Sequence, residues 1–153
     1  MKKKKTIIIA EIGCNHNGKY QLAIKHIDAA IKSGATAVKF QIFDPKNLVA
    51  KNTLKAPYAL KTTKMFKDQL SMQKKIMFKF DLFLKLKNYC KKKNIDFLCS
   101  AFDLDGLDYL NKIGLKTFKI PSGEINNIPY LYQVKNYKKK IILSTGMANL
   151  DEI

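Results

Sequence analysis

Two lysines standing inside apolar strands constrain this chain more than any other feature of its sequence. Ala37-Val38-Lys39-Phe40-Gln41-Ile42 and Thr117-Phe118-Lys119-Ile120 both read as short strands rich in β-branched and aromatic residues. Side chains alternate along a strand, so Val38, Phe40 and Ile42 share one face while Ala37, Lys39 and Gln41 share the other. In the second run Phe118 and Ile120 oppose Thr117 and Lys119. A buried ammonium is expensive unless water or an anion meets it. A doubly wound sheet, covered by helices on both faces, would leave both lysines without a partner. A barrel sheet turns one face to its helices and the other to its axis, and accommodates them.

The remaining segments extend this pattern. Ile7 to Ile12, Asp96 to Ala101 and Lys140 to Leu143 are further predicted strands, the first with Ile7, Ile9 and Glu11 on one face. Helical spacing runs over Tyr20 to Ser33, Phe80 to Lys93, Asp103 to Lys112 and Ile128 to Asn136, with Gly34 and Gly114 as stops and Asp103 as an N-cap. Phe43 to about Met77, interrupted by Pro45 and Pro57, predicts an irregular connection with one short helix, a length usually given to lids and binding loops. Strands alternating with helices imply βαβ units and a parallel sheet. The expected fold is therefore α/β, of the (β/α)8 TIM-barrel type, incomplete at its first five units, since about eight strands close such a barrel.

Polar residues gather at four of the five strand ends, at Glu11, at Lys39 and Gln41, at Lys119, Ser122 and Glu124, and at Ser144 and Thr145. Active sites of parallel α/β folds lie at that end of the sheet. Lys119 is followed by a Pro/Ser/Gly turn and the carboxylate of Glu124, which together form a corner suited to a phosphate or carboxylate with an acid/base group beside it. Glu11 reads either as part of that chemistry or as an ion-pair partner of an inward lysine. His16 lies in the turn Gly13-Cys14-Asn15-His16-Asn17-Gly18 and is expected to cap the following helix, while His26 is expected on a helix surface.

Composition narrows the function classes. The net charge is +17, but all 29 basic residues are lysine, and arginine is the residue preferred for base-edge and bidentate phosphate contacts. The charge is read as solvated surface, with no specific nucleic-acid partner. Three cysteines without CxxC spacing indicate free thiols in a reducing compartment, with Cys14 and Cys99 as packing residues. The apolar run after the amino-terminal lysines stops at Glu11, which predicts a strand of a cytoplasmic protein with no membrane partner.

Four ordered runs resemble the sialic acid synthase family, in particular bacterial N-acetylneuraminate synthases: Ala10-Glu11-Ile12-Gly13-Cys14-Asn15-His16-Asn17-Gly18, Ala37 to Gln41, Lys119-Ile120-Pro121-Ser122-Gly123-Glu124-Ile125, and Ile142-Leu143-Ser144-Thr145-Gly146-Met147. The resemblance implies the amino-terminal part of a (β/α)8 synthase domain, spanning residues 1–153, with later barrel strands and an antifreeze-like domain absent. It implies condensation of phosphoenolpyruvate with an N-acetylmannosamine-type sugar to give N-acetylneuraminate, in a homodimer that requires Mn2+ or Mg2+. Legionaminic or pseudaminic acid synthase, with the same chemistry, or an anion-binding remnant without catalysis are the alternatives.

By the same likeness, Lys39, Lys119, Ser122, Ser144 and Gly146 hold phosphoenolpyruvate, with Ser100 at a position usually threonine. Gln41 meets the sugar, Glu124 handles its aldehyde and hydroxyls, and Glu11 lies near the reacting carbon or a metal-bound water. No metal ligand is expected within this chain, and the 153 residues alone are expected to be inactive. Two departures stand out: Ala101 replaces a family proline, and Ala56-Pro57-Tyr58-Ala59 replaces a segment with glutamine after its tyrosine.

Overall fold

Each strand of this protein, seen in a computed structural model that describes residues 6–50, 53–55, 57, 66–146 and 148–153, runs parallel to its neighbours and is followed by helix or turn. The strands are β1 (Ile9–Gly13), β2 (Ala37–Ile42), β3 (Asp96–Ala101), β4 (Thr117–Ile120) and β5 (Lys140–Leu143). They form two hydrogen-bonded sheets, β1-β2-β3 and β4-β5, with β3 lying beside β4. The result is a parallel wall of five strands in sequential order, and no closed barrel is present among the described residues.

Helices cover one side of this wall because their apolar stripes match its apolar face. α1 (Tyr20–Lys32) buries Ala23, Ile27 and Ala30, and ends at Ser33 before Gly34, whose φ of +84° favours glycine. α2 (Pro45–Leu48) and α3 (Gln69–Ile76) lie in the long connection, where one helix was expected; Asp68 and Ser71 form a capping box that starts α3. α4 (Phe80–Lys92) buries Phe83, Leu86 and Cys90, and α5 (Leu104–Lys112) buries Leu107 and Leu110. α6 (Ile128–Asn136) begins at Asn127, whose side chain accepts from the Tyr130 N–H.

Val38, Phe40, Ile42, Phe118 and Ile120 point into this helix-facing core, as alternation predicts. Burying each such side chain stabilises by about 2–3 kcal/mol. The Tyr130 hydroxyl, fully buried, donates to the Ala101 carbonyl at 2.9 Å and ties α6 to the end of β3. Asp103 does the same for two elements, accepting from Gly106 N at 2.7 Å to cap α5 and from Asp44 N at 2.6 Å.

Two expectations are adjusted. The first strand, expected over Ile7 to Ile12, runs instead from Ile9 to Gly13, and Ile7 and Ile8 are exposed, although Ile8 still exchanges hydrogen bonds with Thr36. All four residues of β5 are exposed, so its apolar Ile141, Ile142 and Leu143 mark it as an uncovered edge.

Candidate functional site

The strand register assembles the site before any side chain is considered. β1 sets Glu11 beside Lys39, and β3 sets Ser100 beside Gln41, so four polar groups from three strands emerge on the face opposite the core. The Lys39 ammonium and Glu11 carboxylate form an ion pair, with Lys39 mostly buried and Glu11 about half exposed. A bulge follows Glu11, and Gly13 adopts φ +49°. A Cβ there would stand 2.9 Å from Glu11 Oε1 and 3.4 Å from the Gln41 amide nitrogen, so the backbone closely backs both side chains.

Cys14 contributes in a way the sequence did not suggest. Its thiol donates to Gln41 Oε1 at 3.5 Å, which engages the amide oxygen and leaves the NH2 group as the free donor of that side chain. Burial, and then the nearby Glu11 charge, raise the thiol pKa to about 11, so it is a donor and not a thiolate. The only available signal was its place directly after the strand-ending glycine.

The second sheet brings the other lysine. Lys119 Nζ donates to the Ser144 hydroxyl and, at 2.8 Å, to the Ile120 carbonyl. Its pKa is held below the ordinary lysine range, first by burial and then by the charge of Lys39, with Glu11 opposing. The two ammonium groups therefore act on one another although they stand on different sheets. Gly146 lies against Ser122, since a Cβ on it would meet the Ser122 Cβ at 3.8 Å. The loops after β4 and β5 thus converge. Two lysines against one paired carboxylate leave this face with an excess of positive charge.

Ser100 completes the group: its hydroxyl is buried and has no hydrogen-bond partner. Buried polar atoms are almost always satisfied, so an orphan on a polar face is an available ligand contact. Glu124 sits in a 3-10 turn (Ser122–Glu124), where it accepts from the Asn127 side chain at 2.6 Å. Of the departing segment Ala56-Pro57-Tyr58-Ala59, the residues Ala56, Tyr58 and Ala59 lie outside the described residues, as does Met147.

His16 corrects the expectation of a helix cap. The N-cap position of α1 is Lys19, without a side-chain cap. His16 is instead fully buried, stacked on Phe78 with ring centroids 3.8 Å apart, and its Nδ1 accepts from Gly18 N at 3.1 Å. Burial, with help from the charge of His26, lowers its pKa to about 4, so it is neutral at physiological pH. His26, partly buried on α1, approaches the Asn15 carbonyl at 3.4 Å.

Among the described residues no group of three or more His, Cys, Asp or Glu side chains is placed to hold a metal ion. Likewise, no described helix is long and apolar enough to cross a membrane. The side chains gathered here are the ammonium groups of Lys39 and Lys119, the hydroxyls of Ser100, Ser122 and Ser144, and the amide of Gln41.

Comparison with known proteins places the chain among characterised relatives. The chain is 54% identical over 150 residues to an N,N'-diacetyllegionaminic acid synthase of Campylobacter jejuni, covering 98% of this chain and 45% of that protein. It is 41% identical over 146 residues to the N,N'-diacetyllegionaminic acid synthase of Legionella pneumophila, covering 95% and 41%. The crystal structure of an N-acetylneuraminic acid synthetase from Leptospira borgpetersenii, in complex with citrate, superposes with a TM-score of 0.81 at 34% identity, covering 98% of this chain and 48% of that one. The chain thus spans less than half the length of these relatives. Residues 26–153 match the NeuB family, and the chain belongs to that family.

Proposed function

We propose that these five βα units carry the phosphoenolpyruvate-binding half of a nonulosonic acid synthase. The observation that carries this reading is the convergence of Lys39 and Lys119 on one polar face, at the carboxyl ends of parallel strands. Phosphoenolpyruvate is small and strongly anionic, and two ammonium groups flanked by hydroxyls suit its phosphate and carboxylate. In this reading Lys119 and Ser144 hold one anionic group, Lys39 the other, and Ser100, Ser122 and the Gly146 backbone add hydrogen bonds. Ligand binding would draw Lys39 away from Glu11, freeing that carboxylate to face the reacting carbon.

The reaction follows from the family. The methylene carbon of the enol phosphate attacks the aldehyde of an open-chain sugar, water adds to the resulting cationic carbon, and phosphate leaves by C–O cleavage. Gln41, its NH2 left as the free donor by Cys14, would donate to the sugar, and Glu124 would meet the sugar's aldehyde or hydroxyls once released from Asn127. The divalent metal of the family would be held by side chains outside these 153 residues, and the homodimer it implies rests on the same likeness.

The sugar is the point on which relatives alter the first reading. N-acetylmannosamine was the expectation from sequence motifs, but the two relatives at 54% and 41% identity are N,N'-diacetyllegionaminic acid synthases. Phosphoenolpyruvate carries no nitrogen, so a diacetylated product requires a sugar with two acetamido groups. We therefore favour a diacetamido sugar.

The test is calorimetric titration of phosphoenolpyruvate into the 153-residue chain and into a Lys39→Ala, Lys119→Ala double variant of unchanged circular dichroism. Saturable binding that weakens by about 100-fold or more in the variant is expected, since each charge-assisted contact is worth about 1.5–3 kcal/mol. Equal binding by both proteins would sink the assignment.

A further inference from the structure

A second cationic feature lies at the opposite end of the sheet from the site just described. A cleft of about 740 Å³ opens at the amino-terminal ends of β3, β4 and β5. It is lined by Lys87, Lys91, Lys116, Lys138, Lys139 and Lys140, drawn from α4, from the loops before β4 and β5, and from the first residue of β5. Asp96 is the one acidic side chain in its lining.

The ordinary role of a lysine near a helix end is to bond the last carbonyls, and Lys87 does this, donating to the Ile113 carbonyl at 2.7 Å. The other five form no ion pair with any described residue. Five exposed lysines without an acidic partner thus line one cleft from three segments, and a multivalent anion there would be attracted to several of them at once.

We propose that this cleft binds a linear polyphosphate, free or as the phosphate chain of a nucleotide. A single phosphate would engage too few of the five lysines, whereas a chain of three phosphates spans several. The cleft is distinct from the Lys39–Lys119 face: Lys39 stands on β2, which contributes no residue to the cleft, and Lys119 lies further along β4 than Thr117.

The experiment titrates inorganic tripolyphosphate, and separately ATP, into the 153-residue chain at about physiological ionic strength, where nonspecific surface attraction is screened. Three variants accompany it: a cleft triple (Lys91→Gln, Lys116→Gln, Lys139→Gln), a charge-matched triple elsewhere (Lys25→Gln, Lys46→Gln, Lys74→Gln), and Lys39→Gln with Lys119→Gln. Saturable binding is expected, weakened about tenfold or more in the cleft triple alone. Should that triple fail to fold, lysine acetylation read by mass spectrometry on the unaltered protein must show tripolyphosphate protecting Lys91, Lys116 and Lys139, and not Lys25 or Lys46. Absence of saturable binding, equal loss in both triples, or loss only in the Lys39, Lys119 variant overturns the proposal. Equal affinity for tripolyphosphate and ATP would support it with the phosphate chain as the recognised group; tighter binding of ATP would support it with a nucleotide as the source.

Discussion

Acidification offers a direct test of the buried histidine. His16 is sealed between Phe78 and Phe40, with Nδ1 receiving the Gly18 N–H and Nε2 without a hydrogen-bond partner. Protonating it would place a charge among aromatic rings and turn its one acceptor into a donor facing another donor. Its pKa of about 4 in the folded protein lies below the ordinary 6.5. Between those values the unfolded chain holds more protons than the folded one, so stability rises with pH across the window. The contribution is fully present above pH 6.5, is lost progressively as pH falls toward 4, and amounts to about 2–3 kcal/mol.

Urea unfolding at intervals from pH 4.5 to 7.5, on the protein and on His16→Gln, isolates this term, because the carboxylates titrate alike in both. The variant should be less stable at pH 7 but flatter with pH, with the two curves approaching one another at the acid end. The imidazole proton resonances should titrate with a midpoint below pH 5. Parallel stability curves, or a midpoint near 6.5, would refute the reasoning.

Other perturbations have similarly defined outcomes. Gly18→Ala should destabilise by about 1–3 kcal/mol, because φ is +69° and a Cβ would overlap the Lys75 carbonyl oxygen; a lowered urea midpoint at constant slope would register it. Asp103→Ala should cost about 2–4 kcal/mol by orphaning the N–H groups of Gly106 and Asp44, measured by the same unfolding curves. Iodoacetamide at pH 8 should label Cys14 slowly, with a thiol pKa of about 11, and should reach Cys90 and Cys99 only in denaturant; fast labelling of the native protein would contradict the burial.

The site's outline was legible in the sequence wherever it depended on alternation. A period of two placed Lys39, Gln41 and Lys119 opposite the apolar face, and short βαβ spacing made the strands parallel and neighbouring. That placed Glu11 and Lys39 on neighbouring strands, while the register that sets them side by side came from the structure. What could not be read depends on contacts distant along the chain. His16 looks like a turn residue with a capping role, and only the approach of Phe78 makes it a core side chain. Cys14 looks like filler until Gln41 arrives from the next strand to accept its proton. The long connection hid a helix start at Asp68 because its capping partner is a serine, which also occurs in ordinary turns.

The exposed edge strands carry a consequence for self-association. β1 and β5 are the outer strands of the wall, with Ile7 to Ile9 on one side and Ile141 to Leu143 on the other exposed. All strands run the same way, so β5 of one copy can be joined in register direction by β1 of the next, continuing the sheet. Such a contact uses two different surfaces, so repeating it closes a ring where the rotation between copies permits and otherwise runs on as an open series. Sedimentation at rising concentration should then show assemblies larger than the single chain.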